Sequence, residues 1–315
     1  MTEATVGSAL AGDARALARL VSLVENAAAG LRPVMKALAP LTGRARVIGL
    51  TGAPGVGKST VTGALVSAYR ERALRVAVLA VDPTSPFTGG ALLGDRVRMQ
   101  QHATDPGVFI RSMASRGHLG GLSAATPQAV RVLDAAGFDV VLVETVGVGQ
   151  AEVEIASLAD TTLVLVAPGM GDSIQAAKAG ILEVADIFVV NKSDKPGAQE
   201  AVRDLRTMIA MAQRAQGEWK PPIVTTTATA AEGIADLVGR LDAHWSWLDA
   251  AGELERRRRA RAREEVAAIA VAELRRRMGG LPGDARLDAL AARVAAGELD
   301  PYSAADELVA AASVG

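Results

Sequence analysis

The segment of the sequence that most clearly indicates a chemical function is GAPGVGKS, at residues 52–59. It fits the pattern G-x-x-x-x-G-K-[ST] in full, between an apolar run and a helical stretch. Glycines let such a loop wrap closely, so that backbone N–H groups and the start of the next helix face an anion. The pattern predicts a phosphate-binding loop in which Lys58 contacts the β- and γ-phosphates and Ser59 binds Mg²⁺. The expected nucleotide contacts are Gly52, Ala53, Pro54, Gly55, Val56, Gly57, Lys58, Ser59 and Thr60.

A second motif, NKSD at residues 191–194, follows an apolar run and fits N-K-x-D at the end of a strand. The carboxylate of Asp194 can accept hydrogen bonds from the ring N1–H and the exocyclic amine of guanine, a donor pair that adenine lacks. The motif therefore predicts GTP and GDP as ligands and disfavours a P-loop ATPase. Residues 225–228, at the end of the last predicted strand, are expected to touch the base through backbone groups. The expected base contacts are Asn191, Lys192, Asp194, Thr227 and Ala228.

Acidic residues at the ends of other predicted strands are candidate ligands for Mg²⁺, which prefers oxygen atoms. The run DVVLVETVG at residues 139–147 is an apolar strand that ends in Glu144, with a glycine three residues further on. Glu144 is expected to hold the metal directly or through water, and the Gly147 N–H to sense the γ-phosphate. Asp82 also ends a strand, at the sheet edge where ligands bind, and Asp95 lies in a glycine-rich segment. The candidate metal ligands are Ser59, Asp82, Asp95 and Glu144.

The run DVVLVETVG also predicts the second switch segment of a GTPase, and the residue after its Gly147 is Val148. Many small GTPases have glutamine there, where it orients the attacking water. Gln150 lies nearby but in a different register. We therefore expect slow unaided hydrolysis, accelerated by a rearranging loop or by a partner.

The elements that must position these groups alternate between strands and helices. Several short β-branched runs are apolar throughout, which is typical of parallel strands covered on both faces. They lie at residues 46–51, 75–82, 108–111, 139–144, 161–167, 186–191 and 223–227. Helical stretches lie between most of them, so the predicted fold is α/β, a P-loop domain with a mostly parallel central sheet.

Changes in composition divide the chain into three zones. The predicted organisation is an N-terminal helical extension at residues 1–43, the P-loop domain at 44–249 and a C-terminal helical arm at 250–315. The arm carries four consecutive arginines at residues 256–259. Glutamates flank them, which favours a solvated or interface helix over a phosphate-binding patch.

Composition excludes several classes of function. The chain has 315 residues, a formal net charge of −1, no cysteine and three histidines. The charge gives no global attraction to nucleic acid or to an anionic membrane, and disulfides and thiolate metal sites are absent. No signal-peptide pattern and no apolar run of about 18 residues is found. We therefore expect a cytoplasmic protein with neither nucleic acid nor membrane as a partner.

The motifs GAPGVGKST, VDPTSP, GDRVRM, VETVGVGQ and NKSD, in this order, resemble the MeaB/ArgK family over nearly the whole chain. These are GTPases that act as chaperones of adenosylcobalamin-dependent methylmalonyl-CoA mutase. The resemblance implies a homodimer formed through the C-terminal arm. It also implies that the B12-dependent mutase is the partner, and that GTP hydrolysis gates cofactor loading and protects the mutase.

The resemblance also assigns roles to individual residues. It implies that Asp82, Asp95 and Glu144 are the acidic residues of the Mg²⁺ site. It further implies that residues 168–180 form a mutase-responsive segment whose charged members are Asp172 and Lys178. The predicted catalytic groups are Lys58, Gly147 and Lys178.

Two other functions stay open from the residues alone. One is a GTP-dependent regulatory or metal-insertion module for another enzyme, although the chain lacks the Cys-rich and His-rich features expected for metal delivery. The other is a protein kinase acting on a transport component, for which the motifs supply no evident phosphoacceptor pocket.

Overall fold

The computed structural model describes residues 3–26, 28, 30–82, 102, 104–114, 125–145, 151–169, 183–212, 217–277 and 285–312. Contacts along the chain divide it into two compact units, Met1–Arg257 and Arg258–Gly315. The first unit contains a parallel β-sheet. Its described strands are β1 (Arg46–Thr51), β2 (Val76–Asp82), β3 (Val108–Ala114), β4 (Val140–Thr145), β5 (Thr161–Val166), β6 (Ile187–Asn191) and β7 (Ile223–Thr226).

The strand order is β3-β2-β4-β1-β5-β6-β7, and every described strand pair is parallel. The predicted α/β fold with a parallel sheet is therefore confirmed. The described α-helices of the first unit are α1 (Glu3–Leu10), α2 (Ala14–Glu25), α3 (Leu31–Leu38), α4 (Lys58–Glu71), α5 (Thr126–Ala135), α6 (Ala151–Leu158), α7 (Ala198–Met211) and α8 (Ile234–Ala250). Helix α9 (Glu253–Arg277) begins in this unit, and α10 (Ala285–Ala295) and α11 (Pro301–Ala312) follow it.

Helices cover both faces of the sheet, which explains why the strands are apolar throughout rather than alternating. Along β4, Val141 and Val143 pack in a cluster with residues of α2, α3, α5 and α6. Val140 and Leu142 pack on the opposite face, in a cluster with residues of α4 and α8. Successive strand residues thus enter different cores, as the two-residue period of a strand requires.

The N-terminal helices, which the sequence predicts as a helical extension at residues 1–43, lie in the same compact unit as the P-loop. The carboxylate of Asp134, near the end of α5, accepts hydrogen bonds from the backbone N–H groups of Gly43, Arg44 and Ala45. Arg111 on β3 also pairs with Glu25 on α2. These contacts fix the N-terminal helices to the sheet, which helical periodicity alone could not reveal.

The first unit ends at Arg257, in the first turns of α9. The guanidinium of Arg257 donates two hydrogen bonds to the carboxylate of Asp186, at 2.9 and 3.0 Å. Asp186 immediately precedes β6 and also accepts a bond from the Thr162 N–H at 2.8 Å. Nε2 of the buried His244, on α8, lies 3.3 Å from the same carboxylate. The start of α9 is therefore anchored to the sheet edge opposite the nucleotide motifs.

Asp186 is a buried acid that keeps its charge. Burial alone would raise its pKa, but the interactions with His244 and Arg257 outweigh burial and lower the pKa below its ordinary value of 3.8. A carboxyl group whose pKa is lower in the folded state stabilises the fold above its unfolded pKa, and this contribution is lost as the pH falls through the folded value. The Asp186 contacts should therefore stabilise the protein fully at neutral pH.

We predict that Arg257→Met destabilises the protein by roughly 3 kcal/mol at neutral pH, because it leaves a buried carboxylate without its bidentate partner. The matched control is Arg256→Met on the same helix, where the arginine pairs with Glu253 at the surface. That pair should be worth about 1 kcal/mol or less. Urea unfolding at pH 7 and pH 3 measures both variants. Equal effects at pH 7, or an Arg257 effect that grows toward pH 3, would contradict the assigned role.

Candidate functional site

The phosphate-binding loop connects β1 to α4 at the carboxyl edge of the sheet. Strand β1 lies between β4 and β5, so its end is surrounded by other strand ends. Gly52 has a φ of 140°, and a Cβ atom there would overlap the backbone oxygen of Leu165 on β5. Gly57, with a φ of 96°, occupies the N-cap position of α4. The first and last glycines of the motif are thus required by backbone conformation and close packing.

Lys58 is the first residue of α4 and is buried. Its Nζ donates to the carbonyl oxygens of Gly52 at 2.8 Å and Ala53 at 3.2 Å. The Lys58 side chain therefore bends back, and its ammonium group contacts the first two residues of the loop. A cation in this position, beside the N-terminus of a helix, suits the binding of phosphate groups.

Ser59 lies next to Glu144, which is 3% exposed. The register pairs Leu50 of β1 with Glu144 of β4, so the acid lies at the same sheet edge as the loop. The Ser59 hydroxyl donates to Glu144 Oε1 at 2.6 Å, and the Thr62 hydroxyl donates to Oε2 at 2.8 Å. The structure thus brings together two of the four predicted metal ligands, a hydroxyl and a carboxylate whose oxygens suit Mg²⁺.

The remaining predicted ligands and switch residues are described less fully. The backbone of Asp82 ends β2, in register with Ala114 of β3, but its side chain lies outside the described part. Asp95, Gly147, Asp172 and Lys178 lie outside the described residues. Within the described residues, no group of three His, Cys, Asp or Glu side chains is arranged to hold a metal.

The amide of Asn191, the last residue of β6, is buried and connects three loops. Its Nδ2 donates to the Val56 oxygen in the phosphate-binding loop at 2.9 Å. Its Oδ1 accepts from the Thr226 hydroxyl at 3.1 Å and from the Ala228 N–H at 3.2 Å. The predicted phosphate and base motifs are therefore parts of one hydrogen-bonded unit.

Lys192 makes a second connection between the two motifs. It has a φ of 58°, and its Nζ donates to the Gly55 oxygen at 2.8 Å. The Ser193 hydroxyl bonds Thr227 Oγ1 at 3.0 Å. The Asp194 carboxylate remains 44% exposed, 3.4 Å from the Lys195 ammonium. Its surface position leaves the carboxylate accessible to a base.

A cavity of about 860 Å³ lies between α4, which lines it from Ser59 to Glu71, and the start of α8. Ser59 and Thr60 line one part, and Ala228 together with α8 lines another. This volume falls within the usual range for small-molecule sites. The cavity places Thr60 and Ala228, which the sequence predicts independently as nucleotide contacts, around one space.

Sequence reasoning misses two features of this site. Thr62 is not predicted, because a threonine inside a helix matches no motif. It lies three residues after Ser59 and therefore on the same side of α4. Asn191 is predicted to contact the base, and the structure shows that its amide also connects the loops. Its position at the end of a buried strand is the available signal.

The fold and the site define a P-loop nucleotide-binding domain of the GTPase class. A model of the family described as "Methylmalonyl Co-A mutase-associated GTPase MeaB" matches residues 17–281. The chain belongs to the MeaB family and is a GTPase.

Individual relatives agree with this assignment. A Pyrococcus abyssi protein named as a candidate GTPase is 48% identical over 300 residues, covering 95% of this chain and 93% of that protein. The Escherichia coli GTPase ArgK is 38% identical over 251 residues, covering 78% of this chain and 76% of that protein. The crystal structure of a "LAO/AO transport system kinase" matches with a TM-score of 0.72 and 27% identity, covering 98% of this chain and 97% of that one.

We predict that Gly57→Ala destabilises the nucleotide-free protein more than Gly55→Ala does. Both glycines have left-handed φ values, of 96° and 82°, so both variants carry backbone strain of about 1–2 kcal/mol. A Cβ at Gly57 would also collide with the Asn191 amide, whereas one at Gly55 meets open space. Displacing that amide should cost roughly a further 1–3 kcal/mol. Urea unfolding measures the difference, and equal losses would show that the amide connection is dispensable.

Proposed function

We propose that this GTPase binds Mg²⁺-GTP at the carboxyl edge of its sheet and uses hydrolysis to chaperone an adenosylcobalamin-dependent mutase. The observation that carries the nucleotide site is the Asn191 amide, because it joins the phosphate-binding loop to the base motif. Lys58 would contact the β- and γ-phosphates and Asp194 the guanine base. The Gly147 N–H would sense the γ-phosphate.

The proposed metal ligands are Ser59 and Glu144, with Asp82 and Asp95 as additional acidic residues. The fit rests on the buried pair of Ser59 Oγ and Glu144 Oε1, since both atoms are oxygens of the type that Mg²⁺ prefers. When bound, Mg²⁺ would neutralise charge that develops on the phosphates. The protein's own contribution is to hold these oxygens beside the phosphate-binding loop.

We predict that Asp194→Asn lowers GTP affinity tenfold or more and raises affinity for XTP. The substitution replaces a carboxylate that accepts two hydrogen bonds by an amide, and losing a charged hydrogen-bond partner costs about 1.5–3 kcal/mol. Fluorescent nucleotide titration measures both affinities. Asp204→Asn on the surface of α7 is the matched control and should bind GTP as the unchanged protein does. Unaltered GTP affinity in the Asp194 variant would refute the proposal that Asp194 binds the guanine base.

The proposed partner is methylmalonyl-CoA mutase, and the proposed role is to gate loading of its cofactor and to protect it from inactivation. Support comes from the matching family, whose description names a mutase-associated GTPase. A further relative, a Caenorhabditis elegans protein named "Methylmalonic aciduria type A homolog, mitochondrial", is 36% identical over 215 residues, 67% of this chain and 54% of that protein. We place the protein in the cytoplasm and propose neither nucleic acid nor membrane as a partner. No helix in the described residues is long and apolar enough to cross a membrane.

We further propose that the protein is a homodimer whose interface includes α9. The described part of this helix exposes four large apolar side chains, which would be buried by a second copy. They are Val266, Ile269, Val271 and Leu274. Sedimentation analysis of the unchanged protein and of a variant with Val266 and Ile269 replaced by serine would test this assembly.

We predict that a cobalamin-dependent mutase accelerates GTP hydrolysis through residues 168–180, where Lys178 is the proposed cation and Asp172 is the other charged residue. A cation moved near the γ-phosphate would stabilise developing charge. Lys178→Ala should therefore blunt the stimulated rate and leave the basal rate and GTP affinity nearly intact. Phosphate release with and without purified mutase is the measurement, with Lys36→Ala on α3 as the control.

The outcomes separate the candidate functions. If basal and stimulated rates fall together, Lys178 serves the nucleotide site in general. If no cobalamin mutase alters the rate, the GTPase remains but the chaperone proposal loses its support. Transfer of the γ-phosphate to a protein rather than to water would favour a kinase, the activity for which the structurally similar transport-system protein is named. Release of a bound metal to another enzyme would favour an insertion module.

A further inference from the structure

The carboxylate of Glu144 is held by hydroxyl groups at both of its oxygens. Ser59 donates to Oε1 at 2.6 Å, and Thr62 donates to Oε2 at 2.8 Å. Both hydroxyls come from α4 and lie on the same side of the helix. The acid is 3% exposed, so its position is determined by protein groups more than by bulk water.

Thr62 has two acceptors within reach and a single hydroxyl proton. Its Oγ1 lies 3.0 Å from the backbone oxygen of Lys58 and 2.8 Å from Glu144 Oε2. A hydroxyl can donate only one hydrogen bond at a time. Bonds to an ionised carboxylate are about twice as strong as bonds to a neutral carbonyl. The proton of Thr62 is therefore directed to Glu144 while that acid is charged.

Ser59 and Thr62 are not equivalent once a metal ion is considered. A Ser59 hydroxyl has two lone pairs and one proton, so it can bind Mg²⁺ through a lone pair and still donate to Oε1. Thr62 is fully buried and has no part in the phosphate motif, so its bond to Oε2 can persist. Oε2 would then be fixed by a hydroxyl that does not meet the ion, and Oε1 would lie on the side of Ser59 and the metal.

We propose that Thr62 is a positioning residue whose hydroxyl fixes Oε2 of Glu144 and thereby presents the Oε1 side of the carboxylate, next to Ser59, to the metal. This inference rests on the proposed magnesium site. Groups that orient a metal ligand without touching the metal typically change metal affinity about 10–100-fold when removed. The alternative is that Thr62 only bonds the preceding turn of its own helix, as buried threonines often do.

The test compares Thr62→Val, which keeps the shape and loses the hydroxyl, with Thr62→Ser, which keeps the hydroxyl. Mn²⁺ binding to the GDP complex, measured by electron paramagnetic resonance, reports the metal site without relying on activity. Thr62→Val should weaken Mn²⁺ binding about tenfold, and Thr62→Ser should bind it nearly as the unchanged protein does. GDP affinity in EDTA should stay unchanged in both. Thr207→Val is the control, because Thr207 on α7 makes the equivalent bond to its own helix, at 3.0 Å from the Arg203 oxygen.

Each other outcome overturns the inference. Wild-type Mn²⁺ binding in Thr62→Val would mean that the hydroxyl serves only its own helix. Equal weakening in Thr62→Val and Thr62→Ser would show that the hydroxyl is not the group responsible. Thr62→Ala is a second variant that lacks the hydroxyl. If Thr62→Ala and Thr62→Val both lose GDP binding in EDTA, the hydroxyl is needed for the fold. Glu144→Ala tests the metal site separately from the role of Thr62. Unchanged Mn²⁺ binding in Glu144→Ala would refute the proposed metal site. A loss of Mn²⁺ binding in Glu144→Ala but not in Thr62→Val would refute only the role of Thr62.

Discussion

The buried amide of Asn191 is the interaction on which the nucleotide site depends most directly. It offers a donor and an acceptor, and the structure uses both, toward Val56 on one side and toward Thr226 and Ala228 on the other. Parallel strands make this possible, since the ends of β1, β6 and β7 meet at one edge of the sheet. Loops that are far apart in the chain are therefore held in contact by one side chain with little conformational freedom.

The opposite edge of the sheet is stabilised by a charged group. Asp186 lies directly before β6, so the same strand carries the amide at one end and the acid at the other. The acid receives hydrogen bonds from Thr162 and Arg257, and its backbone oxygen accepts the Trp219 indole N–H at 2.7 Å. The Trp219 ring also packs against the ring of His244. Since the energy of a buried acid depends on its partners, the start of α9 contributes to the stability of the nucleotide-binding unit.

The strands and the edge that carries the site could be predicted because two physical rules determine them. Buried parallel strands are continuous apolar runs, and groups placed just after such runs meet at one edge, as Ser59 and Glu144 do. Partners contributed by packing could not be predicted in the same way. The glutamates beside the arginine run at residues 256–259 favour a solvated or interface helix, yet Arg257 reaches Asp186, 71 residues earlier in the chain. The role of Thr62 could likewise not be predicted from the sequence, because it depends on Glu144, 82 residues further along the chain.

The hydrogen bond from Asn191 to the Val56 oxygen also has a geometric consequence. A trans peptide unit is planar, so its C=O and the following N–H point in opposite directions. Fixing the Val56 oxygen toward Asn191 therefore turns the Gly57 N–H toward the other side of the loop. Without that restraint the whole peptide unit could rotate, and the direction of one N–H dipole would no longer be set before an anion arrives. The Asn191 side chain thus removes part of the ordering entropy of the phosphate-binding loop in advance. In the proposed site, this bond would link recognition at the two ends of a nucleotide before the nucleotide binds.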